Sequence, residues 1–176
     1  MSRPLYTSPP ALVVIGVLLL TVSSWTAIPL NPVPVTLQTA VILLIGILYG
    51  SWLGSLTVLI WLGLALLGLP LLSDGNGGLK PFYGATAGFI WAFPIATFLA
   101  GRLPAGRKFA DVGKRLVGAV VLHALILAVG LIWLSLNIGP LTAFNKGVLP
   151  FLPGVVLKSV LVALLAGYTP LRHRKF

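Results

Sequence analysis

Long apolar runs separated by short polar breaks dominate the chain from Ala11 to Tyr168. A helix needs about 20 mostly apolar residues to cross the hydrocarbon of a bilayer, fewer where the span is thin or distorted. The first run, 11–28, stops at Pro29, and Pro32 and Pro34 keep the following chain extended. No charge occurs between Val35 and Ser73, a stretch too long for one span. The Gly- and Ser-containing segment 50–54 is the natural turn, so two short spans are predicted, 36–49 and 55–69. A polar, Gly-rich loop, 70–83, precedes a fourth span, 84–100, and a basic loop, 101–114, precedes a fifth, 115–136. The loop 137–147 leads into the sixth span, 148–168, and the chain closes on a basic tail, 169–176. The pattern predicts an all-α integral membrane protein with six transmembrane helices in a single transmembrane domain, 1–176.

Composition sharpens this expectation. Of 176 residues, 58% are hydrophobic and 8% charged, whereas a soluble domain is about a quarter charged. So few polar side chains cannot cover a globular surface in water. Twelve Lys and Arg face two Asp and Glu, a net charge of +10. On a soluble chain that would suggest nucleic acid, but the positions of the charges favour another reading. With the N-terminus in the cytoplasm, the inner side holds nine of them: Arg3, Arg102, Arg107, Lys108, Lys114, Arg115, Arg172, Arg174 and Lys175. The outer loops hold only Lys80 and Lys146. This is a positive-inside bias, N-in and C-in, with the lipid bilayer and its anionic head groups as partner and no nucleic acid. The chain is expected in the cell membrane as a multi-pass protein. Span one is expected to be retained rather than cleaved as a signal peptide, although its single Arg and small residues near 23–27 fit either reading.

Uncharged polar side chains gather on the loops assigned to the outside: Asn31, Gln38, Asn137 and Asn145, with Asp74 and Asn76 beside them. Either these loops are simply wet, or they close an outward-facing ligand pocket. Lys158 favours the pocket, because it is the one charge well inside a predicted span, and an ionisable group within the membrane marks a functional site by default. No carboxylate shares a span with it. A buried ammonium without an acid can snorkel to the interface, lose its proton, or bind an anion that a ligand brings. Pro150, Pro153 and Gly154 delay the sixth helix to about Leu152. Lys158 then lies roughly 8 Å below the outer helix start and can point into an outward cavity. His123, alone in span five, is expected to make a helix-to-helix hydrogen bond rather than to relay protons.

The absences are informative too. The chain has no cysteine, no G-x-x-x-x-G-K-[ST] phosphate loop, no H-E-x-x-H and no Ser/His/Asp set. No enzyme chemistry, metal or cofactor is expected, and energy for uphill transport would have to come from a partner.

The strings Ile28-Pro29 and Pro32-Val33-Pro34-Val35-Thr36-Leu37-Gln38-Thr39 resemble the first-loop signature of the BioY biotin transporters. The likeness continues through Gly68-Leu69-Pro70, Gly77-Gly78 and Gly84-Ala85-Thr86-Ala87-Gly88-Phe89, and closes with Pro150-Phe151-Leu152-Pro153-Gly154 and Lys158. BioY proteins are substrate-capture (S) components of energy-coupling-factor (ECF) vitamin transporters. The resemblance implies an S-component-like bundle of six helices that binds biotin at its outer side and works with a transmembrane coupling subunit and two ATPase subunits. It implies that the biotin carboxylate supplies the anion for Lys158. Asn76, Gln38 and Thr36 are the candidates for the other polar contacts and Phe89 and Trp91 for the walls, with Asp74 or Asn76 compensating for a missing acceptor. Val155 stands where the family carries an aspartate, and Ala85, Ala87 and Phe89 stand where it carries Pro, Gly and Tyr. The alternatives are an S component for another small anionic vitamin and a non-transport membrane assembly protein.

Overall fold

The computed structural model describes residues 8–168. Arg3 and the basic tail with Arg172, Arg174 and Lys175, which enter the charge count above, lie outside the described residues. In chain order the elements are α1 (Pro9–Trp25), β1 (Ala27–Ile28), β2 (Val35–Thr36), α2 (Gln38–Tyr49), α3 (Ser51–Leu66), α4 (Lys80–Tyr83), α5 (Ala87–Ala100), α6 (Phe109–Ile138), α7 (Pro140–Gly147) and α8 (Leu152–Tyr168). Single 3₁₀ turns occur at Ser73–Gly75 and Leu149–Phe151. α6 and the stretch Pro140–Gly167 are long and apolar enough to cross a membrane, and four further apolar helices, α1, α2, α3 and α5, are shorter.

The boundaries differ from the sequence expectation for local reasons. The first helix ends at Trp25, short of 28, because Ala27 and Ile28 pair antiparallel with Thr36 and Val35. The proline-rich segment between them cannot continue a helix and instead forms a small hairpin. Thr36 therefore sits on a strand, not on the second span. α3 begins at Ser51, four residues before the expected start. One glycine, Gly50 at φ +83°, makes the whole turn, a conformation in which a side chain would be strained. The basic loop is shorter than expected. α6 already starts at Phe109 and carries Asp111, Lys114 and Arg115 on its first turns. The segment expected as loop 137–147 is largely helical, as α7, turned off the end of α6 at Gly139.

The long helices alternate in direction. One end of the bundle gathers the end of α1, the hairpin, the loop 67–86, α7 and the start of α8. Several bonds bind that end together: Ser24 Oγ donates to the Leu71 carbonyl at 2.6 Å, Trp25 Nε1 to Pro70 at 3.1 Å, and Trp133 Nε1 to Gly84 at 2.9 Å. The opposite end holds Gly50, the loop 101–108 and the end of α8, with exposed Arg102, Arg107, Lys108 and Lys114. α5 is central and packs on α6, α2 and α3, while α6 and α2 pack on α8. The outer faces of α1, α3 and α8 remain apolar, for example Leu18, Leu59 and Leu157.

Small residues set the closest helix approaches. A Cβ on Gly46 of α2 would collide with the Thr97 carbonyl oxygen of α5 and lie 2.8 Å from the Ala100 Cβ. A Cβ on Gly54 of α3 would lie 3.1 Å from the Gly46 Cα, so three helices meet there. The obstacle at Gly46 is backbone, which cannot rotate away. Gly46→Ala should therefore destabilise by about 1–3 kcal/mol despite its better helix propensity, read as a fall of several degrees in the unfolding temperature of the purified protein.

Candidate functional site

A cavity of about 480 Å³ opens at the hairpin end of the bundle, a size suited to a small-molecule ligand. Asn31, Asp74, Asn76 and Lys80 line it as exposed residues and form its mouth. Gln38, Thr36, Phe89, Phe93, His123 and Lys158 line it as buried residues and form its interior. Six of the seven residues singled out from the sequence thus border one space, drawn from the hairpin, α2, the loop 67–86, α5 and α8.

Lys158 lies on the second turn of α8, about 9 Å along the axis from its first residue. It is 6% exposed, and Nζ donates to Thr39 Oγ1 at 3.3 Å, its one hydrogen-bond partner among the described residues. No described acid pairs with it. Asp74 is at the exposed mouth, in left-handed backbone at φ 58°, and Asp111 is at the far end on α6. Val155, one turn earlier on α8, puts methyl groups on the cavity wall beside Lys158.

The hairpin positions the polar pair next to it. Thr36 Oγ1 donates to Gln38 Oε1 at 2.8 Å, with both side chains buried. That bond orients the amide and leaves the Gln38 NH₂ group as the donor side. At the mouth, Asn76 Nδ2 donates to the Ser73 carbonyl at 2.8 Å, which ties the amide to its own loop and leaves its oxygen as the acceptor.

The Phe89 ring stacks on Phe151, with centroids 6.1 Å apart and planes at 18°. The ring also occupies the space where Gly130 of α6 lacks a side chain, since a Cβ there would collide with it. Phe93, Ile90 and Ile126 complete the apolar wall.

Trp91 is the correction. It is 52% exposed and lies outside the cavity, with Nε1 donating to the Phe82 carbonyl at 3.2 Å and its ring edge-on to Phe82 at 5.7 Å. Two residues after Phe89 on the same helix, it must face another way. Trp91→Phe should leave ligand affinity unchanged to within about twofold, as for surface changes in general, measured by equilibrium binding.

Sequence reasoning passed over Thr39, the partner of Lys158, and gave His123 no place in the pocket. His123 does join helices: its Nδ1 lies 2.8 Å from the Ala119 carbonyl of α6 and 3.0 Å from Ser159 Oγ of α8. It also lines the cavity. The signal was available once α8 is set in register, because its partner Ser159 is the residue next to Lys158.

Comparison with known proteins places this arrangement. The BioY family model matches residues 1–174. A probable biotin transporter BioY of Pyrococcus horikoshii is 36% identical over 156 residues, covering 89% of this chain and 92% of that protein. A biotin transporter BioY of Rhodobacter capsulatus is 37% identical over 158 residues, covering 80% of each. A crystal structure described as the S-component for biotin from an ECF-type ABC transporter superposes with a TM-score of 0.81 at 28% identity, over 95% of this chain and 93% of that one. A match along almost the whole chain, in sequence and in fold, shows that the protein belongs to the BioY family, a family of transporters and not of enzymes.

Proposed function

We propose that the protein binds biotin from the extracytoplasmic side and mediates its uptake as the substrate-capture subunit of an ATP-driven vitamin transporter. The observation that carries this reading is the cavity itself. It opens at one end of the bundle, carries apolar side chains along its inner walls, and holds one buried cation, Lys158, with no acid partner among the described residues. Such a site accepts a small apolar molecule with strong oxygen acceptors, which is the chemistry of biotin. The names of the relatives point the same way. Lys158, Gln38, Thr36, Asn76, Asp74 and Phe89 are the proposed ligand contacts.

The same reading sets the protein in the cell membrane as a multi-pass protein in a single transmembrane domain. α1, α2, α3, α5, α6 and α8 are its six spans, with both termini inside. The exposed cations Arg102, Arg107, Lys108 and Lys114 gather at the end opposite the cavity mouth, as the positive-inside rule requires of an outward-facing pocket. The sequence holds no phosphate loop for ATP. The energy is therefore assigned to partners, a transmembrane coupling subunit and two ATPase subunits, like the ECF assembly from which the superposed structure comes.

Equilibrium binding of labelled biotin to the purified protein tests the reading. Saturable binding at one site is expected. Binding of another small anionic vitamin but not biotin would move the substrate within the class, and absence of any vitamin binding would overturn the capture role.

A further inference from the structure

His123 carries a polar atom that the fold leaves unused. A carbonyl oxygen only accepts, so the 2.8 Å contact with Ala119 puts the ring proton on Nδ1. In the neutral imidazole Nε2 then holds a lone pair and acts as an acceptor. His123 is 2% exposed, and its Nε2 is buried with no hydrogen-bond partner among the described residues. Buried acceptors are nearly always satisfied, and the exceptions call for a reason. His123 borders the cavity as a residue, and with its Nδ1 held by Ala119 and Ser159 the nitrogen left for a ligand is Nε2.

We propose that His123 is a specificity-determining ligand contact, whose Nε2 accepts an N–H of the substrate. The Lys158 ammonium, one residue along α8 from the Ser159 partner of His123, donates to the neighbouring substrate carbonyl. An acceptor beside a donor matches a cyclic urea, which presents N–H beside C=O. This rests on the biotin reading above and gives the ligand a direction: the ureido ring goes to the interior. A carboxylate fits there poorly, because both of its oxygens accept and one would oppose the Nε2 lone pair. The carboxylate therefore stays at the mouth, where Lys80 lines the cavity and water solvates the charge. The direction is opposite to the one that the sequence suggests, with the carboxylate on Lys158.

The test uses biotin and its two cyclic carbamate analogues, in each of which one ureido N–H is replaced by oxygen. Binding is measured to wild type and to His123→Phe. On wild type, one carbamate should bind about ten- to hundredfold more weakly than biotin, the usual effect of one lost buried hydrogen bond. On His123→Phe, biotin should weaken by a similar factor, and that carbamate should lose no more, so the two effects are non-additive. Additive effects, or none, would reduce His123 to a packing residue. A second readout needs no substitution at the site. In ¹⁵N-histidine-labelled wild type, identified against His173→Gln, the His123 Nε2 resonance should move on adding biotin and stay in place with the affected carbamate. An unmoved resonance in biotin-saturated protein overturns the proposal, whereas wild type that binds no biotin overturns the capture role instead.

Discussion

Lys158→Met should lower biotin affinity by roughly 30-fold to 3,000-fold while leaving the protein at least as stable as wild type. The two halves have separate causes. Truncating one partner of a buried, charge-assisted contact costs about 2–5 kcal/mol of binding, and each 1.4 kcal/mol is a factor of ten. In the ligand-free protein the same ammonium is 6% exposed, and Thr39 at 3.3 Å is its one described hydrogen-bond partner. Replacing a poorly compensated buried charge by an apolar side chain of similar length is commonly neutral or stabilising. Methionine keeps most of the stem that lies beside Gly154, where a Cβ would be 3.6 Å from the Lys158 Cε. Binding by labelled biotin and unfolding temperature, measured on one preparation, separate the two halves. A variant that binds normally would remove Lys158 from the site. A variant that loses binding and melts well below wild type would show that the lysine supports the fold, not the ligand.

Much of this site was legible in the sequence because membrane burial makes polar residues conspicuous. Lys158 stood out against a span with no other charge, and the Pro and Gly before it fixed where its helix could begin. α8 does start at Leu152. Gln38 and Thr36 stood out in the same way, at the edge of an uncharged stretch. Aromatic residues gave no such contrast. Phe89 and Trp91 are equally apolar and two residues apart, and only the rotation of α5 puts one ring in the cavity and the other outside. His123 was legible as a helix contact and not as a cavity residue, because one imidazole can do both with its two nitrogens. Among the helix boundaries that shifted are those at Pro29, Gly50 and Gly139, where turn geometry decides and hydropathy is silent. Hydropathy counts a run of apolar residues. It does not register that Ala27 and Ile28, apolar as they are, leave the helix to pair with Val35 and Thr36.

Arg115→Met should lower the unfolding temperature by roughly 6–12 °C, the equivalent of about 3 kcal/mol for a chain of this size. From the sequence Arg115 counts as one of nine inner cations that orient the chain. In the fold it is fully buried. Its Nε donates to the Ala163 carbonyl of α8 at 2.9 Å, and its Nη1 donates to the Pro104 and Gly106 carbonyls at 3.0 and 2.6 Å. Gly167 makes room for the guanidinium, since a Cβ there would lie 2.8 Å from Nη2. Beside it Arg107 Nε donates to the Gly167 carbonyl at 3.1 Å, near the end of α8 where helix carbonyls lack partners. The guanidinium thus ties the loop 101–108 to α8 by a planar fork that no other side chain reproduces. Hydrogen bonds to a charged group contribute about 1.5–3 kcal/mol each and are not additive, hence an estimate near the cost of one or two. Arg115→Lys, which can reach fewer of the three carbonyls with a point charge, should fall between methionine and wild type. An orientation charge acts during membrane insertion and leaves no trace in the melting of protein already folded, so an unchanged melting temperature in both variants would return Arg115 to that role. Biotin affinity of the folded Arg115→Met protein should match wild type, because the cavity lies at the other end of α8.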